Sequence, residues 1–105
     1  MRRLTAALAF TLSLLNGTVH AQDRKATPGI TDTEIRIGQT MPYSGPASAY
    51  ATVGRAHAAF FDMVNAKGGV NGRKIKLLSL DDSMVPPRAL EQVRRLVEQE
   101  QVAFT

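Results

Sequence analysis

The 105-residue chain has no cysteine and no tryptophan. Without cysteine there is no disulfide and no residue to carry a lipid after an export signal. Histidine is scarce too. Once an N-terminal run holding His20 is set aside, His57 stands alone, and with no cysteine and no second ligand beside it a metal site is not expected. Cofactor signatures are also missing. Gly38 and Gly45 are too far apart for the Gly-x-Gly-x-x-Gly cradle of a dinucleotide enzyme, and there is no phosphate loop. The longest apolar run, Leu4 to Leu15, is shorter than the roughly 20 residues a stable membrane span needs.

That run sits in a recognisable setting. Met1-Arg2-Arg3 is a short basic start, Asn16-Gly17 breaks the apolar stretch, and Val19-His20-Ala21 puts small or modest residues where a cleavage site needs them. This is the three-part secretory signal pattern. Residues 1–21 are expected to be removed after Ala21, leaving Gln22 as the mature N-terminus and 84 of the 105 residues. For a bacterial chain the destination is the periplasm, as a free soluble protein. The precursor carries 13 Lys+Arg against 9 Asp+Glu, and losing Arg2 and Arg3 with the signal leaves 11 against 9. So small an excess, with no basic face interleaved with aromatics, argues against nucleic acid as a partner.

Residues 22–33 are polar, with Pro28-Gly29 and no periodicity, and read as a flexible leader. The domain then begins. Glu34 to Thr40 alternates apolar and polar residues at the strand period. From Ala51 to Lys67 the apolar positions Val53, Ala56, Phe60, Met63 and Val64 step by three and four, which predicts one helix face, and Gly68-Gly69 ends it. Val70-Asn71-Gly72-Arg73 is a turn leading into a second strand, Lys74 to Asp81. Asp81 and Asp82 are read as closing that strand and hydrogen-bonding the amides of the next loop rather than as an acid–base pair. After Pro86-Pro87 a second helix is predicted over Arg88 to Gln99, with i,i+4 pairs Glu91–Arg95 and Arg94–Glu98. Val102 to Thr105 starts a third strand, an abrupt place for a domain to finish, so a truncated chain is expected.

The order strand, helix, strand, helix, strand is the βαβαβ start of a parallel, three-layer α/β sheet. With exposed sheet edges, a fragment of this length is expected to be marginal alone. Between the first strand and first helix lies Thr40-Met41-Pro42-Tyr43-Ser44-Gly45-Pro46-Ala47-Ser48-Ala49-Tyr50. Its prolines and glycine restrict the backbone while its hydroxyls and tyrosines offer contacts, the makings of a binding loop.

Taken with Asn65-Ala66-Lys67-Gly68-Gly69-Val70-Asn71-Gly72 and Asp81-Asp82, that loop makes residues 30–105 resemble the opening of lobe one of a type I periplasmic solute-binding protein, of the branched-chain amino acid (leucine-binding) class that serves ABC importers. The resemblance implies a Rossmann-like sheet ordered 2-1-3, and two lobes closing on a small solute that is handed to a membrane permease. It implies no catalysis and no cofactor. The loop then lies at the carboxyl ends of the strands, where such sheets bind ligands. Tyr50 matches the aromatic that meets the ligand's side chain, although it stands one residue nearer to Asn65 than in the amino acid binders. Ser44 is the second candidate contact, and Tyr43 the third, replacing a smaller residue before the serine. The carboxylate and amino contacts of that family lie in sequence absent here, so the solute is left open. Three alternatives stand beside the importer reading: a receptor ectodomain of the same fold, an exported α/β enzyme, and a non-functional truncated product.

Overall fold

The computed structural model describes residues 26–105, so the expected signal sequence, its expected cleavage after Ala21 and the first residues of the expected leader lie outside the described residues. Strand β1 is Glu34–Met41 and strand β2 is Lys74–Asp81. They pair in parallel from Glu34 with Lys74 through to Met41 with Asp81. Because the two strands end at one register position, the loops that follow them leave the sheet side by side.

The expected third strand is reduced to one parallel bridge between Ile37 and Phe104. Gly38 N–H donates to the Phe104 carbonyl at 3.0 Å and Ala103 N–H to the Arg36 carbonyl at 2.9 Å. Ile37 already pairs with Leu77, so Phe104 occupies the other edge of β1, the place a third strand takes in the order 2-1-3. That edge is shared: Gly29 accepts Arg36 N–H at 2.7 Å, and Ile30 bridges Ile35. Part of the segment read as a leader is thus hydrogen-bonded to the sheet. Gly29 has φ 73°, and a Cβ there would overlap the Ala103 nitrogen, so only glycine permits this approach.

Helix α1, Ala51–Ala66, crosses from β1 to β2. Its sheet-facing side differs from the predicted stripe. Ala51 and Gly54 are buried and Ala58, Phe61, Val64 and Asn65 half-buried, whereas Val53, Ala56 and Met63 are exposed and Phe60 is 56 % exposed. Two local features set the rotation. Gly54 lets the helix close on Met41 and Tyr43, where a Cβ would lie 2.9 Å from Met41 Cγ. Farther along, the Asn65 amide docks on the Ile75 backbone through two bonds of 2.7 Å. Hydrogen bonds and close approach therefore outrank the larger apolar side chains in deciding which face turns inward.

The helix ends as its glycines predict. Gly68 N–H reaches the Asn65 carbonyl and Gly69 N–H the Val64 carbonyl, both at 3.0 Å, which is the Schellman pairing. Asn71 and Gly72, at φ 50° and 78°, then form a two-residue turn between Val70 and Arg73.

Helix α2 is Pro86–Arg94, with both prolines in its first turn, and a π turn over Arg95–Gln99 extends it. Neither predicted i,i+4 pair occurs among the ion pairs of the described residues; Arg95 instead meets Glu100 at 3.6 Å. A π turn brings residue i+5 into line, which explains the changed partner. Leu96, fully buried, fills the space over Gly38, where a Cβ would meet Leu96 Cδ1 at 3.0 Å. Gly38 and Met41 face opposite sides of β1, so α2 with its π turn and α1 cover opposite faces. The result is three layers, as crossovers of one hand require when the second returns past the first strand.

Candidate functional site

Residues 42–50 leave β1 beside the turn that leaves β2. Pro42 is buried and Gly45 takes φ 81°, which lets the loop fold back until its backbone lies against Ser83. A 3₁₀ turn, Ser48–Tyr50, then leads into α1.

Ser44 is the best-anchored of the candidate residues. Its N–H donates to Asp81 Oδ1 at 3.2 Å, its hydroxyl donates to Asp81 Oδ2 at 2.5 Å, and Ser83 Oγ lies 2.6 Å from Ser44 Oγ. Asp81 Oδ1 also accepts Ser83 N–H at 3.0 Å. Arg88 closes the group, donating to Ser83 Oγ at 3.0 Å and to Asp81 Oδ2 at 3.2 Å. The Ser44 hydroxyl is the main reason the Asp81 carboxyl is lowered from 3.8 to about 2; loss of solvent opposes it as the second-largest effect, and the Ser83 and Ser44 amides and Arg88 each lower it further. A carboxylate so committed is a poor base at neutral pH.

Asp82, only 8 % exposed, accepts Met84 N–H at 2.8 Å and donates its own N–H to the Met41 carbonyl at 3.1 Å. These bonds hold Ser83 and Met84 in the left-handed region, at φ 52° and 57°. The reading of Asp81 and Asp82 as loop-ordering carboxylates is thus what the geometry displays.

Tyr43 points elsewhere. Its hydroxyl bonds the Ser79 hydroxyl and its ring lies against Gly54, on the α1 face of the sheet. Ser79 accepts from Gln39 Nε2 at 2.9 Å, and Gln39 Oε1 lies 2.8 Å from His57 Nδ1. A carboxamide oxygen only accepts, so His57 Nδ1 carries the proton. Tyr50, by contrast, is 62 % exposed where α1 begins. The structure therefore joins Ser44 to the end of β2, sets Tyr43 among the polar residues beneath α1, and leaves Tyr50 exposed where α1 begins.

Sequence reasoning missed Ser79, Ser83, Gln39 and Arg88. The signal for Gln39 and Ser79 was available, since both are polar residues two places before the strand ends and the register puts them side by side. Ser83 and Arg88 follow a strand-ending aspartate by two and seven residues, and no sequence period marks them.

Ser44 and Tyr50 are both exposed. Two shallow hollows of about 450 Å³ lie beside Thr27, Glu34 and Gln101 and along the outer side of α2, and neither is lined by Ser44 or Tyr50.

A model of the periplasmic binding protein family matches residues 34–105. An amino acid binding protein of Pseudomonas aeruginosa is 36 % identical over 70 residues, covering 64 % of this chain and 18 % of that protein. The Leu/Ile/Val-binding protein homolog 7 of Brucella abortus is 35 % identical over 86 residues, covering 81 % of this chain and 21 % of that protein. Among solved structures, a fatty acid ABC transporter substrate-binding protein from Thermomonospora curvata aligns with a TM-score of 0.63 at 28 % identity, over 74 % of this chain and 20 % of that one. A type 1 periplasmic binding protein from Bordetella pertussis Tohama I aligns with a TM-score of 0.58 at 32 % identity, over 66 % and 19 %. The chain spans about a fifth of the length of these relatives. It belongs to the type I periplasmic binding protein family.

Proposed function

We propose that this chain forms the opening part of lobe one in the substrate-binding component of an ABC importer, which captures a small solute such as a branched-chain amino acid in the periplasm and delivers it to a permease. The observation that carries the reading is the Ser44 loop, braced on Asp81 at the carboxyl ends of two parallel strands. That is where open α/β sheets place ligands. The relatives' names point the same way, to solute binding rather than turnover.

Within this reading Ser44 and Tyr50 contact the solute, Tyr50 through its exposed ring. Tyr43 supports them from below by tying the loop's start to Ser79. No catalytic step is required of any of them.

The test is a chimera in which residues 34–105 replace the matching segment of the Brucella abortus homologue. Calorimetry with leucine, isoleucine and valine, and with a fatty acid as comparison, is expected to show saturable binding of at least one solute that the parent also binds. A folded chimera that binds none of the parent's solutes would overturn the proposal.

A further inference from the structure

The hydroxyl of Ser44 has one proton and two lone pairs, and its partners can be counted. Asp81 Oδ2, at 2.5 Å, is held ionised and only accepts, so the Ser44 proton lies on that bond. Ser83 Oγ accepts from Arg88 at 3.0 Å, which leaves its own proton for Ser44 Oγ at 2.6 Å, a far shorter path than the 3.3 Å to Asp81 Oδ2. The Ser44 amide is also committed to Asp81. What Ser44 keeps for a solute is a single lone pair.

We infer that Asp81 and Arg88 are positioning residues that lock Ser44 as a hydrogen-bond acceptor toward the cleft, so the loop favours a solute group that donates, such as an ammonium or amide, over a bare carboxylate. The inference rests on the reading of this loop as a solute wall and deepens it. An amino acid offers Ser44 a donor through its ammonium group, whereas an ionised fatty acid offers none. Arg88 acts at one remove: its contact with Ser83 sets the direction of the Ser83 proton and so the role left to Ser44.

The first measurement needs no solute. Carboxyl ¹³C shifts of the labelled chain are followed against pH in the wild type and in Ser44→Ala, Ser44→Thr and Arg88→Gln. The Asp81 midpoint is expected near 2 in the wild type. It should rise clearly in Ser44→Ala, return in Ser44→Thr, whose hydroxyl can take the same bond, and rise less in Arg88→Gln. A midpoint that Ser44→Ala leaves unmoved overturns the proton assignment and the inference with it.

The second measurement reads selection in the chimera, with leucine and with 4-methylpentanoate, which keeps the carboxylate and the branched chain but lacks the ammonium. Ser44→Ala should narrow the preference for leucine by roughly tenfold, the worth of one charge-assisted hydrogen bond. An unchanged ratio overturns the inference while leaving solute capture intact. Loss of binding to both solutes in the unsubstituted chimera instead contradicts the capture reading, and the carboxyl titration then decides the proton assignment alone.

Discussion

The side chain of Asn65 pairs with the backbone of Ile75 at both of its ends, Nδ2 donating to the carbonyl and Oδ1 accepting from the N–H, each at 2.7 Å. The amide behaves as a short stand-in for a neighbouring strand and fixes α1 to the start of β2. Asn65→Ala leaves both Ile75 groups without their partner, which should cost about 2 kcal/mol. Asn65→Asp sets an oxygen against the Ile75 carbonyl and should cost at least as much. Urea unfolding of the chimera gives the cost, and hydrogen exchange at the Ile75 amide gives its location. An unaltered exchange rate in Asn65→Ala would show that the pairing has no energetic weight.

Gly54 lies under Tyr43, and its missing side chain is what allows α1 to approach. Gly54→Ala places a methyl group against the Tyr43 hydroxyl and Met41 Cγ. Overpacking of this kind costs about 1–3 kcal/mol, more than the helical preference for alanine returns. The variant should lower the unfolding midpoint and shift the Tyr43 ring resonances while leaving those of Tyr50 in place. Stabilisation by Gly54→Ala would contradict the close contact.

Gly69 and Gly72 share φ 78° but differ in what surrounds them. A Cβ at Gly72 meets nothing within 4 Å, whereas one at Gly69 runs into the Arg73 carbonyl. Gly72→Ala should therefore cost only the left-handed backbone penalty, about 1 kcal/mol. Gly69→Ala should cost distinctly more, because backbone must move as well. Equal losses in the two unfolding curves would remove the steric part of the argument.

The pH dependence follows from Asp81. Its folded carboxyl is depressed from 3.8 to about 2, so its contribution is fully present above the unfolded value and is lost as pH falls through the folded one. An acid titration followed by circular dichroism should show an Asp81-dependent loss confined to the window between those two values. Ser44→Ala should narrow that window by raising its lower limit. A loss attributable to Asp81 that occurs above pH 5 would contradict the assignment.

Much of the fold was legible because the chain obeys simple periods. Glu34 to Thr40 alternates, and the structural strand runs one residue farther; Lys74 to Asp81 matches end for end. Glycines at 68 and 69 stop α1 where their left-handed freedom predicts. The inward face of α1 was not legible, because the period picks out Val53, Phe60 and Met63 while the rotation is set by a glycine contact and an asparagine docking on another element. The π turn was hidden for a related reason: Glu91 and Arg95 have ideal α spacing, and only the backbone shows that Arg95 turns to Glu100. At the candidate site the loop could be located, and the two aspartates given their role. Ser83 and Arg88 could not be found, since they join Ser44 only through a turn with two left-handed residues.

Whether the loop from Pro42 to Tyr50 is a wall of the proposed solute-binding cleft is decided by calorimetric titration of the chimera with the solute it binds best, repeated with Ser44→Ala, Tyr50→Ala and the outward-facing Phe60→Ala. Affinity should fall roughly tenfold for each of the first two, as the loss of about 1.4 kcal/mol implies, and should stay unchanged for Phe60→Ala. Equal affinity in the chimera, Ser44→Ala and Tyr50→Ala would contradict the claim.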